Sequence, residues 1–226
     1  MSTTTPKQPA PATPRLRADA ARNRAQIMAA ARAAFRELGT AAPLDEIARR
    51  AGVNIATLYR RFPDRDALVR QVVVDGFTVV GEATRRALDA APADALSAIE
   101  QLLLHMVDER ETLALPLIGG PITDDAEAAE LQHLNSARIE EILSIAHAQG
   151  TVRDDATAVD VIAAVAMACR PMPYLPAEQA AAIGARHVRI FVDGLRPIQG
   201  RPLHPASPTA DQLFANLRAA EGIADD

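Results

Sequence analysis

Residues 44–62, LDEIARRAGVNIATLYRRF, constrain the fold more tightly than any other part of the chain. Two runs of helix formers, 44–50 and 55–62, are separated only by Ala51-Gly52-Val53-Asn54. So short a break makes the two helices cross at close range, as in a helix-turn-helix over about 43–62. Ile47 and Leu58 are placed to pack both helices onto a preceding one, and Ala48 is small where they cross. Gly52 stands where the chain enters the left-handed region, which costs glycine little. Leu58 and Phe62 read as core.

The flanking sequence is helical too. Ile27, Ala31, Ala34, Phe35 and Leu38 recur on one face of a helix starting at Asp19, and Gly39 supplies its stop. Asp64 is placed to cap a long fourth helix from near Arg65 toward Asp89. Further helices are expected at about 94–110, 124–149, 154–169, 176–195 and 209–221, parted by Pro- and Gly-containing stretches. Aromatic residues are only 3% of the chain and alanine is abundant, which favours helix over strand. The expected fold is all-α, with an N-terminal three-helix unit (19–75) followed by a C-terminal helical bundle (76–226). Residues 1–18, rich in Pro, Thr and Ala, are expected to be a disordered tail.

Charge divides along the same line. Residues 1–70 hold 13 Lys and Arg against 6 Asp and Glu, a balance of +7; residues 71–226 hold 11 against 23, a balance of −12. A basic segment joined to an acidic body points to a polyanion-binding module carried by something else, although a merely solvated basic face would have the same charge. The lone cysteine, Cys169, allows no internal disulfide and suits a reducing cytoplasm. No signal peptide is recognisable, and the run Val161 to Cys169 is far shorter than the roughly 20 residues of a membrane span. Five scattered histidines and one cysteine give no metal-ligand spacing, and no G-x-G-x-x-G, P-loop or G-x-S-x-G is present. Neither an enzyme nor a metal or other cofactor is expected.

Ala30-Ala31, Phe35 and Gly39, then Ile47-Ala48, Ala51-Gly52-Val53, Thr57-Leu58-Tyr59, Phe62 and Arg65-Asp66-Ala67-Leu68 follow one another without a gap over about residues 20–70. This stretch resembles the TetR family of bacterial transcription regulators; beyond residue 75 the resemblance lies in helical layout alone. It implies a sequence-specific regulator of transcription, working as a homodimer on a near-palindromic operator in double-stranded DNA. The resemblance also implies residue roles. Asn54, Ile55, Ala56, Thr57 and Tyr59 face bases or the adjacent backbone, and Arg60, Arg61 and Arg65 hold phosphate. Asp45, in the first turn of the preceding helix, joins this candidate set. The chemistry agrees, since Asn pairs bidentately with adenine and Ile suits a thymine methyl. Arg65 stands where lysine is common, and Ile55 and Ala56 replace polar or Gly residues of some members. Lys7, Arg15 and Arg17 could reach a minor groove as a basic arm, the plainer reading being a solubilising tail.

The resemblance assigns the body to dimerisation and ligand sensing. Val161 and Val165 on one helix, with Val188, Phe191 and Leu195 on the next, form the expected dimer face; Ile183 and Ile190 mark a second apolar side of the latter helix. Candidates for a pocket are His105 and Met106, Leu117 and Ile118, His133 and Ile142, and Met172 and Tyr174, each of which also reads as plain core. The expected function is a repressor released from its operator by an apolar or amphipathic small molecule. Two alternatives stay open: a DNA-binding regulator without an effector, and a helical enzyme or carrier.

Overall fold

A computed structural model describes residues 14–113, 115, 125–172, 174–198, 202–203, 207–210, 212–214 and 216, with side chains from Asp19 onward. Among them eight helices follow in order: α1 (Pro14–Leu38), α2 (Leu44–Arg50), α3 (Ile55–Arg61), α4 (Arg65–Ala90), α5 (Ala95–Asp108), α6 (Ala126–Ala148), α7 (Ala158–Ala168) and α8 (Ala177–Leu195). No strand occurs among the described residues.

Most helix starts follow from their caps. Asn54, Asp64, Asp94 and Asp125 each accept a backbone N–H of the first turn, an interaction typically worth about 1 kcal/mol per cap. Two boundaries differ from expectation. Helix α1 begins at Pro14, so residues 14–18 are helical. Proline is tolerated at a first helical position, and Arg, Leu and Ala are strong helix formers. Arg15 and Arg17 therefore lie on α1 and not on a free tail, while Lys7 lies outside the described residues. Helix α7 starts at Ala158, not near 154, because Thr157 and Asp160 form a reciprocal capping box. Asp155 instead pairs with Arg153 and accepts the Leu203 N–H, which together hold its carboxyl down at about 2. Of the expected helix 209–221, residues 210, 212–214 and 216 are helical, and the rest lie outside the described residues.

Two hydrophobic cores result. The first joins α1, α2, α3 and the first half of α4 through residues such as Ile27, Ile47, Leu58, Leu68 and Val72. The second gathers Leu103, Met106, Ile142, Val161 and Val188 from the later helices, with Ala83 and Ala87 from the second half of α4. The expected division at 75/76 thus falls inside one continuous helix. Leu115 and Ala128, from the chain beyond α5, also pack into the first core. Arg70 of α4 bonds the carboxylates of Asp125 and Glu127 at the start of α6. The two units are joined side to side as well as through α4. No helix among the described residues is long and apolar enough to cross a membrane.

Helices α7 and α8 meet at Gly184. A Cβ there would stand 2.7 Å from the Ala168 carbonyl oxygen and 3.1 Å from Val107 Cγ1, closer than a side chain tolerates. That contact turns the stripe of Gly184, Val188 and Leu195 inward, and the expected dimer face is corrected by it. Val161, Val165, Val188 and Leu195 are all buried in the subunit's own core, with Phe191 packed against them. The outward apolar residues are Met167 of α7, 58% exposed, and Ile183 and Ile190 of α8, 45% and 61% exposed. Sequence periodicity showed two apolar sides of α8, and backbone proximity selects which one faces inward.

Gly184→Ala is expected to destabilise the protein by about 1–3 kcal/mol through overpacking against a backbone atom that cannot yield. Chemical denaturation of the variant and the wild type measures the difference; equal midpoints and slopes would contradict the close approach.

Candidate nucleic-acid interface and ligand cavity

Helices α2 and α3 pack by their inner residues and leave a mostly polar outer surface. Gly52 has φ of +68°, in the left-handed region, and its N–H donates to the Arg49 carbonyl while the Val53 N–H reaches Ala48. The turn closes so tightly that α3 begins three residues later, at Ile55. Leu58 is fully buried and Phe62 nearly so, with the Arg24 guanidinium 5.5 Å from the Phe62 ring centroid.

Of the residues expected to face DNA, Ala56, Tyr59, Arg60 and Arg61 are exposed on α3, and Asp45 is exposed on α2. Thr57 is half-buried and accepts the Arg60 Nη2–H through Oγ1 at 2.9 Å, which orients that guanidinium. Arg61 has no hydrogen bond or ion pair among the described residues, so its charge is uncommitted. Three of the expected residues are engaged within the protein. Asn54 is the cap of α3, its Oδ1 accepting the Thr57 N–H at 2.7 Å, so bidentate pairing with adenine would require breaking the cap. Ile55 packs against the core with part of its surface and is less available to a thymine methyl than its position suggested. Arg65 is half-buried and donates to the carbonyls of Thr40, at 2.8 Å, and Ala42. It clamps the loop between α1 and α2 to the start of α4.

Arg49 and Arg50 add little free charge to this surface. Both bond Glu46, and Arg50 also reaches Glu37 at 2.7 Å. The Glu46 carboxyl is held down at about 2 by the hydrogen bonds from Arg49 and then Arg50. Of the helix-turn-helix arginines, those on α3, Arg60 and Arg61, are in no ion pair among the described residues.

The body contains a cavity of about 70 Å³ between α4, α5, α6 and α7. Phe77, Val80 and Thr84 of α4 form one wall, and Met106, Ile139 and Val165 form much of the rest. Among the described residues no charged side chain lines it. Helix α6 contributes Gln132, Asn135 and Ser136, the polar residues buried on its inner face. Asn135 donates through Nδ2 to the Phe77 carbonyl at 3.0 Å, and Arg138 donates to the Gly81 carbonyl at 2.9 Å, tying α6 to the middle of α4. Gln132 is only 5% exposed, yet its side-chain amide has no hydrogen-bond partner among the described residues. The Oδ1 of Asn135 is likewise buried without a donor among them.

The eight expected pocket residues are not brought together. Met106 lines this cavity, and Ile142 is buried in the core nearby. His105 faces a separate groove, with Nε2 2.9 Å from Arg86 Nη2. Met172 lies in a cleft where the body meets the end of α1, His133 is on the surface, and Tyr174 is 97% exposed. Leu117 and Ile118 lie outside the described residues. The sequence did carry a signal for the lining of this cavity: Gln132, Asn135 and Ser136 are polar residues in register with Ile139, Ile142 and Ala146 on an otherwise apolar stripe. Cys169 is buried, its thiol donating to the Met106 carbonyl and pushed up to about 12 by that burial, so it stays protonated. No group of side chains among the described residues could hold a metal ion.

Comparison with known proteins agrees with this division. Residues 27–72 match the family model of bacterial regulatory proteins of the tetR family, and residues 91–197 match the C-terminal domain of SbtR-like transcriptional regulators. A TetR transcription regulatory protein from Mycobacterium vanbaalenii is 32% identical, with 80% of this chain and 99% of that one aligned and a TM-score of 0.52. PfmR, a TetR family regulator from Thermus thermophilus, shares the fold at 18% identity, 76% and 99% coverage and a TM-score of 0.58. The ketosteroid transcriptional regulator KstR2 of Mycobacterium tuberculosis does so at 17% identity, 77% and 95% coverage and a TM-score of 0.62. No match was found among curated proteins. The helix-turn-helix, the helical body behind it and a relative aligned over nearly its whole length place this chain in the TetR family of DNA-binding transcriptional regulators.

Proposed function

We propose that the protein is a cytoplasmic repressor that leaves its operator when a small, mainly apolar molecule enters the cavity of the body. The observation that carries this reading is the span of α4. Leu68 and Val72 belong to the core beneath the recognition helix α3, while Phe77, Val80 and Thr84 of the same helix wall the cavity. A ligand acts only through its different affinities for two arrangements of the protein. One that displaces the cavity side of α4 re-aims α3 through a rigid connection. Two α3 helices in a dimer must meet major grooves about 34 Å apart, or a multiple of that, so a small change of separation spoils the fit. Coupling of this kind is typically about 1–3 kcal/mol, a loss of operator affinity of about 5–150-fold. The test is to select the operator from DNA flanking the gene and titrate uncharged apolar compounds that raise the melting temperature. Release of DNA by those compounds is expected; stabilisation without release would reduce the body to a dimerisation scaffold.

On the DNA side, Ala56, Thr57, Tyr59, Arg60 and Arg61 form the reading surface, with Asp45 at its margin. Asn54 and Arg65 shape it from behind. Arg61→Ala should weaken binding to all sequences alike and lower the slope of log K against log salt by about one unit, as loss of one phosphate contact does. Arg65→Ala should lower the melting temperature and the affinity while leaving that slope unchanged. Equal slope changes in both variants would return Arg65 to the phosphate contacts.

Two subunits associate through the outer faces of α7 and α8, where Met167, Ile183 and Ile190 are exposed. Ile183 and Ile190, two helical turns apart on α8, with Met167 beside them on α7, form an apolar patch suited to an isologous contact. Ile190→Asp is expected to convert a dimer into a soluble monomer by light scattering at micromolar concentration, whereas Val188→Asp should unfold the subunit. A variant Ile190→Asp that remains dimeric would place the interface elsewhere.

A further inference from the structure

The C-terminal segment lies beyond the domain matched by the family, which ends at residue 197. Its described residues are nevertheless built onto the body. The Leu203 N–H donates to Asp155 Oδ2 at 2.6 Å. Residues 207–210 lie over α6 and the start of α7 beside Leu143 and Val159, with Ala210 buried. Thr209 and Gln212 then cap one another: the Thr209 N–H donates to Gln212 Oε1 at 2.9 Å and the Gln212 N–H to Thr209 Oγ1 at 3.2 Å. That turn of helix carries Phe214, half-buried, to the cavity between α4, α5, α6 and α7, where its ring is part of the lining.

We infer that this cavity takes an uncharged apolar molecule bearing one hydroxyl or carbonyl, with the polar head at Gln132 and the apolar end limited by Phe214. The inference rests on the reading of the cavity as the effector site. Three observations support it. The described lining holds no charged side chain to pair a carboxylate or ammonium group, and burying such a group unpaired is costly. The Gln132 side chain, on a residue only 5% exposed and with no hydrogen-bond partner among the described residues, offers both a donor and an acceptor to a neutral head group. Finally, the free volume of about 70 Å³ is small, so each side chain of the wall sets how much ligand fits, and Phe214 is supplied by a segment outside the shared domain. Selectivity would then be set in this chain by its own C-terminal addition, against a cavity formed by the helices common to the fold.

The test uses the full-length protein with a series of 1-alkanols and the carboxylates of the same length, followed by thermal shift and calorimetry. Each methylene that is buried contributes about 0.8 kcal/mol, a tightening of about four-fold. Wild-type affinity for the alkanols should climb with length and stop abruptly, and the carboxylates should not bind. In Phe214→Ala the climb should continue for about two further carbons, a gain on the order of ten-fold or more for those chains. In Gln132→Leu the alkanols should bind about five- to ten-fold more weakly, the usual net loss for one neutral hydrogen bond. Phe214→Trp supplies a check independent of ligand, since the chain has no tryptophan. Its emission should be blue-shifted relative to the denatured protein and should respond to alkanol. Carboxylates binding as tightly as alkanols would overturn the uncharged class, and a length limit unmoved in Phe214→Ala, or a tryptophan emitting as in denaturant, would overturn the wall. If neither series binds the wild type, the effector reading itself falls and takes this inference with it.

Discussion

The structure depends on α4 remaining one rigid helix while belonging to two cores. Its first turns are buried with Ile27, Ile47 and Leu58, and its later turns with Leu103, Ile142 and Val161. Each buried Leu, Ile or Val contributes about 1.5–3 kcal/mol, so neither half can leave its core cheaply. Motion in the body must therefore be transmitted to the reading head or be resisted by it. The polar clamps have the same effect. Asn135 and Arg138 bond carbonyls in the middle of α4, and Arg70 ties an earlier turn to the start of α6. These links fix which part of α6 follows α4 when either moves.

Charge is used economically on the reading head. The N-terminal unit is basic in sum, yet Arg49 and Arg50 are engaged with Glu46 and Glu37, and Arg65 is spent on backbone carbonyls. Arg61 stands uncommitted, and Arg60 is aimed by Thr57. Long-range attraction to a polyanion depends on total charge, but contact with a particular phosphate depends on a guanidinium free to approach it. The paired arginines contribute to the first, and the uncommitted guanidinium of Arg61 is free for the second.

Local rules carried the sequence reading a long way. Capping residues, glycine at a left-handed turn and apolar spacing are decided within a few residues, and they located α2, α3 and the start of α4 almost to the residue. The same rules failed where a distant partner intervened. Asn54 suited a base by type but was needed as a cap, and Asp155 suited a helix start but was bound by Arg153 and Leu203. His133 and Tyr174 were candidates by chemistry and proved to be exposed, whereas the informative polar residues were those set in an apolar stripe of α6.

The sequence by itself determined that this chain is all-helical, that its N-terminal third is a basic helix-turn-helix, and that an acidic helical body follows. Those features arise from periodicity, propensity and composition, which act between neighbours along the chain. Only the tertiary structure decided which side of α8 faces inward, which residues enclose the cavity, and that Phe214 reaches it from the C-terminal segment. An amphipathic pattern states that a face must be buried without stating against what. That choice is made by close approaches between segments far apart in sequence, such as the Ala168 carbonyl against Gly184, and by buried polar groups that find their partners only after the helices have packed.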